Sequence, residues 1–226
     1  MKKKIILTND GSSSIYLPDW DETYHSKHGA IQEAYHVFIK NGLDLFESRS
    51  KLSVMEIGFG TGLNCFITFL ESKSRKLRVD YTGIEAFPLQ AKDILQLNYV
   101  EQLSAEDYSN EFEKIHSSEW EEKNNIDNNF FLLKRNQFFK DIKDLNRFNL
   151  IYFDAFGARV QPELWTETIF QKMYEALKER GVIVTYSAKG SVRRAMQTVG
   201  FEVERLPGPP GKREMLRGTK QIAKAI

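Results

Sequence analysis

Short hydrophobic runs alternate along the chain with longer stretches in which hydrophobic positions recur at helical spacing. The short runs predict buried strands at residues 51–57, 77–85, 130–133, 149–153 and 182–186. The longer stretches predict helices at residues 63–72, 88–97, 166–180 and 191–199, the last two closed by Gly181 and Gly200. Strands that alternate with helices favour an α/β architecture with a mostly parallel sheet and helices on both faces.

The two ends of the chain depart from this alternation. Residues 201–206 and 213–217 flank a turn-rich segment and predict an antiparallel C-terminal hairpin, which brings the sheet to seven strands. Residues 5–7 and 14–17 predict a smaller hairpin, followed by a helix at 29–40. We expect residues 1–45 to form a cap over the carboxyl edge of the sheet, where open α/β sheets bind ligands, and residues 46–226 to form the main domain. The asparagine-rich segment 124–129 is predicted to be a loop.

The composition is that of one globular domain. A chain of 226 residues can bury a full core without disulfides or metals. The single cysteine, Cys65, excludes an intramolecular disulfide and a multi-cysteine zinc site, so no metal is expected. The longest hydrophobic runs fall far short of the ~20 residues that cross a membrane, and the hydrophobic stretch behind the basic start is too short for a signal peptide. We therefore expect a cytoplasmic protein.

Basic residues gather near the C-terminus, although the net charge is only +1. The cluster comprises Lys189, Arg193, Arg194, Arg205, Lys212, Arg213, Arg217, Lys220 and Lys224. Segment 101–122 is acidic instead. Because binding to nucleic acid depends on where charges lie, the net charge neither supports nor excludes an RNA partner, whereas the cluster is compatible with one.

A glycine-rich segment, residues 56–62 (EIGFGTG), joins the first predicted strand to the next helix. Glycines there allow a sharp turn and a close approach of the backbone to a nucleotide. The Gly-x-Gly-x-Gly spacing is shorter than the dinucleotide pattern and suits the amino-acid end of S-adenosylmethionine. Glu85 ends the second strand, where a carboxylate can accept both hydroxyls of an adenosine ribose. We expect cofactor contacts from Glu56, Gly58, Phe59, Gly60, Thr61, Gly62, Asn64, Glu85 and Ala86.

Polar residues also follow the third and fourth predicted strands. Asn136 is expected to meet the adenine, accepting from its exocyclic amine and donating to a ring nitrogen. Asp154 is expected to face the transferable methyl group, because a carboxylate can hold an aliphatic amine and stabilise the ammonium as charge develops. Phe156, Trp165 and Tyr186 are aromatic side chains on which a planar base could stack.

Ten segments in order along the chain resemble the methyltransferase domain of the MnmC family and its free-standing MnmD type. They are residues 7–12 (LTNDGS), 22–30 (ETYHSKHGA), 33–39 (EAYHVFI), 56–64 (EIGFGTGLN), 153–156 (FDAF), 162–166 (PELWT), 185–187 (TYS), 192–194 (VRR), 200–201 (GF) and 211–216 (GKREML). The glycine loop alone would fit many methyltransferases. The N-terminal block and the KREML ending are more particular to this family.

The resemblance implies a Rossmann-like class I methyltransferase that methylates the primary amine of a 5-aminomethyl group on the wobble uridine of tRNA. S-adenosylmethionine would be the cofactor, and Asp154 would match the acidic residue of the family's active site. Tyr24 and His25 would lie in the cap near the acceptor pocket. The resemblance also implies contacts to anticodon-loop phosphates from Arg193, Arg194, Lys212 and Arg213.

The sequence departs from the family pattern in two places and leaves other functions open. Asn136 stands where the family usually has an acidic residue, and residues 157–162 (GARVQP) replace a common APAKNP. Fused relatives carry a further flavin-dependent oxidoreductase domain, so we expect no FAD here and separate enzymes that supply the aminomethyl nucleoside. The alternatives are a methyltransferase for a small amine, a non-catalytic RNA-binding module on the same scaffold, and a dinucleotide-binding oxidoreductase.

Overall fold

The computed structural model describes residues 2–47 and 50–222. Lys224 of the C-terminal basic cluster lies outside these ranges. The strands are β1 Lys4–Leu7, β2 Ser13–Leu17, β3 Glu22–Thr23, β4 Lys51–Ile57, β5 Arg78–Glu85, β6 Lys123–Asp127, β7 Phe130–Asn136, β8 Phe148–Phe153, β9 Leu177–Thr185, β10 Phe201–Pro207 and β11 Glu214–Lys220. The helices are α1 Ala30–Ala34, which continues as a π-helix over Tyr35–Lys40, α2 Leu63–Arg75, α3 Ala91–Ile94, α4 Tyr99–Gln102, α5 Ser109–Ser117, α6 Glu167–Ala176 and α7 Gly190–Thr198.

The central sheet has the order β10-β11-β9-β8-β4-β5-β7-β6 among the described residues. Strands β7, β5, β4, β8 and β9 run parallel, and the hairpin of β10 and β11 joins β9 antiparallel. The predicted mostly parallel sheet with an antiparallel C-terminal hairpin is confirmed, but it has eight strands among the described residues instead of the predicted seven, because β6 adds an edge strand. Since β4 lies at the centre, the carboxyl ends of β8, β4 and β5 meet at one edge, where ligands bind in such sheets.

Alternating residues of the strands feed two hydrophobic cores, one on each face of the sheet. On β8, Tyr152 packs with α1, α2 and α5, whereas Phe153 packs with α6 and α7. Both side chains are fully buried. The alternation has a consequence for the next residue, because Asp154 continues the series on the α2 side.

Three predicted elements differ in the structure. The predicted loop over residues 124–129 contains most of the edge strand β6, because pairing of the backbone with β7 needs no hydrophobic alternation. The helix predicted over 166–180 ends at Ala176, and Gly181 does not cap it, since the chain enters β9 at Leu177 and bulges before it pairs again with β8. The helix predicted over 88–97 is reduced to α3.

The N-terminal segment forms a three-stranded antiparallel sheet, β1-β2-β3, followed by α1. Asn98 fastens this cap to the main sheet: its side chain accepts from the Ser13 N–H at 2.7 Å and donates to the Gly11 carbonyl at 2.9 Å. The cap that the sequence predicts is present, while the domain boundary near residue 45 stays a prediction. Within the described ranges no helix combines the length and the hydrophobicity needed to cross a membrane.

Candidate active site

A cavity of about 1750 Å³ opens between the cap and the carboxyl ends of β4, β5 and β8. It exceeds the ~300–1,000 Å³ of a site for one drug-sized ligand, so it has room for two reactants. The sequence-predicted residues that it brings together are Tyr24, His25, Glu56, Gly58, Phe59, Gly60, Thr61, Asn64, Glu85, Ala86, Asp154, Phe156, Tyr186 and Lys212.

The glycine loop after β4 takes a backbone path that few other residues could follow. Gly58, Gly60 and Gly62 have φ values of 89°, 50° and 71°. A Cβ on Gly58 would lie 2.6 Å from the carbonyl oxygen of Asp154. Gly58 therefore permits both the left-handed conformation and the close approach of the β4 and β8 ends.

Glu85 is held in position by the backbone at the end of β5. Its Oε2 accepts from the Gly60 N–H at 3.1 Å, and its Oε1 accepts from the Phe87 N–H at 2.9 Å. Each carboxylate oxygen has a further lone pair, so Glu85 can still accept hydrogen bonds from a diol in the cavity.

Asn64 links two carboxylates at the bottom of the cavity. Its Nδ2 donates to Asp154 Oδ2 at 2.8 Å and to Glu56 Oε1 at 2.9 Å. The Tyr81 hydroxyl donates to the other oxygen of Glu56 at 2.8 Å. Glu56 is thus a buried hydrogen-bond acceptor that orients Asn64 from behind, and its burial raises its pKa well above the usual range. Asp154 has intermediate exposure and lines the cavity.

The surroundings of Asp154 weaken its acidity. Removal from water and, to a smaller extent, the nearby Glu33 carboxylate raise the pKa of Asp154 to about 7, against the opposing effects of Asn64 and Lys212. A carboxyl with a pKa near neutrality can exchange a proton at physiological pH, which is the range suited to general acid–base chemistry.

The cap contributes His25 and Tyr24 to the opposite wall. His25 Nδ1 lies 3.0 Å from Ser14 Oγ, and Nε2 lies 3.3 Å from Thr61 Oγ1 in the glycine loop. Burial lowers the pKa of His25 to about 4, so its imidazole is neutral at physiological pH. His25 therefore connects the cap to the glycine loop, while the ring of Tyr24 lies against Gly60.

Aromatic side chains surround the mouth of the cavity near Asp154. Phe156 meets Tyr24 and Trp20 edge to face, with centroid distances of 5.0 Å and 5.5 Å. The Tyr186 hydroxyl donates to the Ala155 carbonyl at 2.7 Å, which fixes its ring beside the cavity. Trp165 is buried behind this wall, where it packs on Phe153, Phe170 and Tyr186 and donates from Nε1 to the Phe156 carbonyl.

The family model described as S-adenosyl-L-methionine-dependent methyltransferase matches residues 96–221, more than half of the chain. The chain belongs to this methyltransferase family. The methyltransferase is also 28% identical to the tRNA 5-methylaminomethyl-2-thiouridine biosynthesis bifunctional protein MnmC of Cupriavidus metallidurans, over 93% of the chain and 33% of that protein. It is 29% identical to MnmC of Actinobacillus pleuropneumoniae over 95% of the chain and 35% of that protein. The chain thus spans about a third of the length of these curated relatives.

Solved structures with the same fold include MnmC2 from Aquifex aeolicus. Its TM-score is 0.78 at 25% identity, and the match covers 100% of the methyltransferase and 73% of that chain. Spermidine synthase from Thermotoga maritima has a TM-score of 0.57 at 16% identity, covering 94% and 70% of the two chains, and shares the fold alone. The predicted resemblance to the MnmC methyltransferase domain is confirmed.

The cavity of the methyltransferase fits S-adenosylmethionine, the cofactor of its family. Because Gly58 has no side chain, space is left over the ends of β4 and β8, and Glu85 provides carboxylate oxygens for the ribose. Two aromatic side chains that were not predicted from the sequence, Phe87 and Phe138, line the same cavity and meet edge to face at a centroid distance of 5.8 Å. They are 67% and 50% exposed, so an adenine packed against them would cover apolar surface that is otherwise in water.

Asn136 is not part of this arrangement. It is exposed at the end of β7, and its backbone N–H donates to the Glu121 carboxylate at 2.6 Å. After β7, the residues that line the cavity begin two positions later, at Phe138. Gly62 is buried behind the wall, where it precedes α2.

The structure separates Lys212 from the other predicted tRNA contacts. Arg194 and Arg213 are exposed and Arg193 is partly buried, in or beside α7 and the β10–β11 turn. Lys212 instead reaches into the cavity, where its Nζ lies 2.5 Å from Glu33 Oε1 and 3.8 Å from the centroid of the Tyr186 ring. A phosphate contact is therefore not retained for Lys212.

Among the residues of the cavity wall that were not predicted from the sequence are Trp20, Glu33, Phe87 and Phe138. The signal for Phe87 was its place two residues after Glu85, which was already expected to hold the ribose. Glu33 gave no comparable signal, because its partner Lys212 is 179 residues away along the chain.

Proposed function

We propose that this methyltransferase transfers the methyl group of S-adenosylmethionine to the primary amine of a 5-aminomethyl group on the wobble uridine of tRNA. The product would be 5-methylaminomethyluridine, 2-thiolated where the substrate is. The observation that carries the proposal is Asp154, a carboxylate at the end of β8 inside an aromatic-walled cavity beside the glycine loop. With a tRNA substrate, we expect this activity in the cytoplasm.

Asp154 is suited to an aliphatic amine acceptor. Its carboxylate can accept a hydrogen bond from the amine, direct the nitrogen lone pair and stabilise the positive charge that develops on nitrogen. The cofactor supplies an activated methyl group when it is bound. Because the pKa of Asp154 is raised to about 7, the carboxylate can also take the proton that the methylated amine gives up.

The aromatic walls are suited to a pyrimidine ring that carries the amine. Phe156 and Tyr186 line the same cavity as Asp154, and Trp20 and Tyr24 meet Phe156 edge to face. Sequence-specific RNA recognition commonly stacks an unpaired base on such side chains. An anticodon loop presents unpaired bases, and the wobble base could turn into the cavity.

The cofactor would lie on the other side of Asp154. We assign the ribose hydroxyls to Glu85, the amino-acid end to the loop from Gly58 to Thr61, and the adenine to the apolar surface that Phe87 and Phe138 form together. Asn136 has only a backbone role in this assignment. The subsite for the wobble base consists of Phe156 and Tyr186. Trp165, which is buried behind this wall, is not part of it.

The tRNA part of the proposal is supported by the name of the MnmC relatives, which states tRNA 5-methylaminomethyl-2-thiouridine biosynthesis. Arg194 and Arg213 are exposed and Arg193 is partly buried, so these arginines present positive charge at the surface. Such residues can bind phosphates without reading sequence. A methyltransferase for a free amine would have no use for them.

The test uses bulk tRNA from cells that lack this protein, incubated with the purified chain and methyl-labelled S-adenosylmethionine. Nucleosides are then resolved by mass spectrometry. We expect aminomethyl-2-thiouridine to fall as labelled methylaminomethyl-2-thiouridine rises. If the cofactor binds and no tRNA nucleoside gains label, the tRNA proposal fails, and a screen of small amines tests the alternative. If labelled cofactor does not bind, a non-catalytic module is favoured.

A further inference from the structure

Lys212 occupies an unexpected position for a residue of the C-terminal basic cluster. The turn between β10 and β11 is docked on α1 and on the segment before it. His36 Nε2 lies 2.8 Å from the Pro207 carbonyl oxygen, and Gly211, with φ 82°, lies so close to His28 that a Cβ would overlap the imidazole. Within the turn, the Lys212 N–H donates to the Pro209 carbonyl at 2.9 Å. The turn therefore delivers the Lys212 side chain into the cavity from a fixed backbone.

Glu33, the partner of Lys212, has a structural task of its own. Its Oε2 accepts from the Ser26 N–H at 2.9 Å, which fixes the segment that follows Tyr24 and His25 in the cap. Glu33 is only 8% exposed. A buried carboxylate in this position is costly without a counter-charge, and the Lys212 ammonium lies within hydrogen-bond distance of it.

The charge of Glu33 also bears on the carboxylate of Asp154. Glu33 raises the pKa of Asp154, and Lys212 lowers it. The other ionisable groups that face Asp154 are Glu56, behind Asn64, and the Tyr186 phenol. Further charged residues on the cavity wall are Glu22, Glu85, Asp93, Arg159, Glu163, Lys189, Lys2, Lys3, Lys92 and Lys140.

We propose that Lys212 is a positioning residue of the methyl-transfer site, which neutralises Glu33 so that Asp154 meets the acceptor amine as an ionised carboxylate. The inference rests on the proposed function for its activity test, whereas its titration test does not depend on that function. Lys212 acts through Asp154, while the packing of its ammonium on Tyr186 keeps it at the same wall as the acceptor base. The adjacent Arg213, which is exposed, has no such role.

The experiment compares Lys212→Met, Glu33→Gln, the double variant and Arg213→Met. The first readout is the titration of the Asp154 carboxyl in the protein without tRNA, followed by NMR of ¹³C-labelled aspartate with Asp154→Asn as the assignment control. We expect Lys212→Met to move this titration to higher pH by on the order of one unit, because an opposite charge is removed. Glu33→Gln should move it to lower pH, and the double variant should lie close to the wild type.

The second readout is the pH dependence of kcat/KM for tRNA methylation. The pKa of its acidic limb should follow the same order among the variants as the titration of Asp154. Lys212→Arg, which keeps the positive charge, should retain much of the wild-type profile. Arg213→Met should weaken tRNA binding and reduce its salt dependence without moving the limb. The inference is overturned if Lys212→Met leaves the titration and the limb in place and instead resembles Arg213→Met. If the wild type does not methylate tRNA, the proposed function fails, while the titration of Asp154 still tests the role of Lys212. If Lys212→Met does not fold, the shift of the same titration in Glu33→Gln tests the inference.

Discussion

Asn64, in the first turn of α2, donates a hydrogen bond of 2.8 Å to the carboxylate of Asp154 at the end of β8. The same amide nitrogen donates to Glu56, and Asn64 is only 4% exposed. The side chain that would deprotonate or position the acceptor is thus fixed by an amide that cannot itself ionise. This relationship explains how one carboxylate keeps its orientation next to a second carboxylate that is fully buried.

Replacing Asn64 by Leu should therefore impair methyl transfer more than it impairs folding. Loss of the shared donor leaves Asp154 without the amide that orients it, while Glu56 keeps only its hydrogen bond from Tyr81, and we expect kcat to fall by roughly 10–100-fold, which is about 1.4–3 kcal/mol of lost stabilisation. The matched control is Thr68→Val, one turn further along α2, where Thr68 Oγ1 donates to the Asn64 carbonyl at 2.6 Å. Thr68→Val should lower stability by about 1 kcal/mol and keep kcat. Equal kcat losses in the two variants would contradict a specific role for Asn64.

Asp154→Asn should abolish most activity and yet stabilise the ligand-free protein at alkaline pH. The pKa of Asp154 is about 7 in the fold and 3.8 in its unperturbed state, so between these values the native state holds the extra proton. Stability contributed by this group is therefore lost as pH rises through that window. Denaturant titrations at about pH 8 and about pH 4 should show a stability gain for the variant only at the higher pH. A variant that is less stable at both would show that burial does not weaken the acidity of Asp154.

The rate of methylation should rise with pH between about pH 6 and pH 8. Both the acceptor amine and Asp154, with its pKa near 7, must lose a proton before attack. His25 adds no ionisation in this range, because its pKa is about 4. Single-turnover rates at saturating cofactor provide the measurement. A flat profile from about pH 6 to 9 with chemistry rate-limiting would contradict the role of Asp154.

Gly58→Ala should damage the cofactor side of the cavity. A Cβ there would meet the Asp154 carbonyl oxygen at 2.6 Å in a left-handed conformation, and we expect a loss of about 1–3 kcal/mol in stability. Gly157→Ala is the matched control, because its Cβ would meet only the Tyr186 hydroxyl at 3.7 Å. Calorimetric titration with S-adenosylhomocysteine should detect weaker binding for Gly58→Ala and wild-type binding for Gly157→Ala. The reverse order would place the cofactor elsewhere.

The exposed arginines should determine the salt dependence of tRNA binding. Replacing Arg194 and Arg213 by Gln should reduce the slope of log affinity against log salt by roughly 1 for each phosphate that the protein no longer neutralises. Lys76→Gln is the control, since Lys76 is exposed just before β5 at the opposite edge of the sheet. Filter binding across a salt series gives the slopes. A slope that changes equally for Lys76→Gln would show that the basic cluster has no special part in binding.

The sequence was most informative where local pattern determines structure. The glycine loop, Glu85 and Asp154 lie at strand ends, so hydrophobic runs that predict the strands also predict that these residues share an edge of the sheet. By contrast, β6 is polar, and its sequence predicted a loop. An edge strand of this kind is stabilised by backbone pairing with β7 rather than by a buried face, so no hydrophobic pattern marks it.

Residues whose roles depend on distant partners could not be assigned from sequence. Lys212 had the appearance of one more basic surface residue, and only the docking of its turn on α1 brings it to Glu33. Trp20 joins the aromatic wall because the turn between β2 and β3 is held by Arg159, whose Nη2 donates to the Trp20 and Asp21 carbonyls. Trp165 shows the reverse case, in which an aromatic residue next to the site belongs to the core.

The central claim, methylation of a wobble 5-aminomethyl group with Asp154 at the acceptor, is tested most directly with a synthetic anticodon stem-loop that carries 5-aminomethyluridine at the wobble position. The measurement is single-turnover transfer of labelled methyl from S-adenosylmethionine, compared with the same RNA carrying plain uridine and with the free nucleoside. We predict one methyl group on the aminomethyl nitrogen, no label on plain uridine, much slower transfer to the free nucleoside, and loss of transfer with Asp154→Asn. Transfer to plain uridine, or an Asp154→Asn variant as fast as the wild type, would contradict the claim.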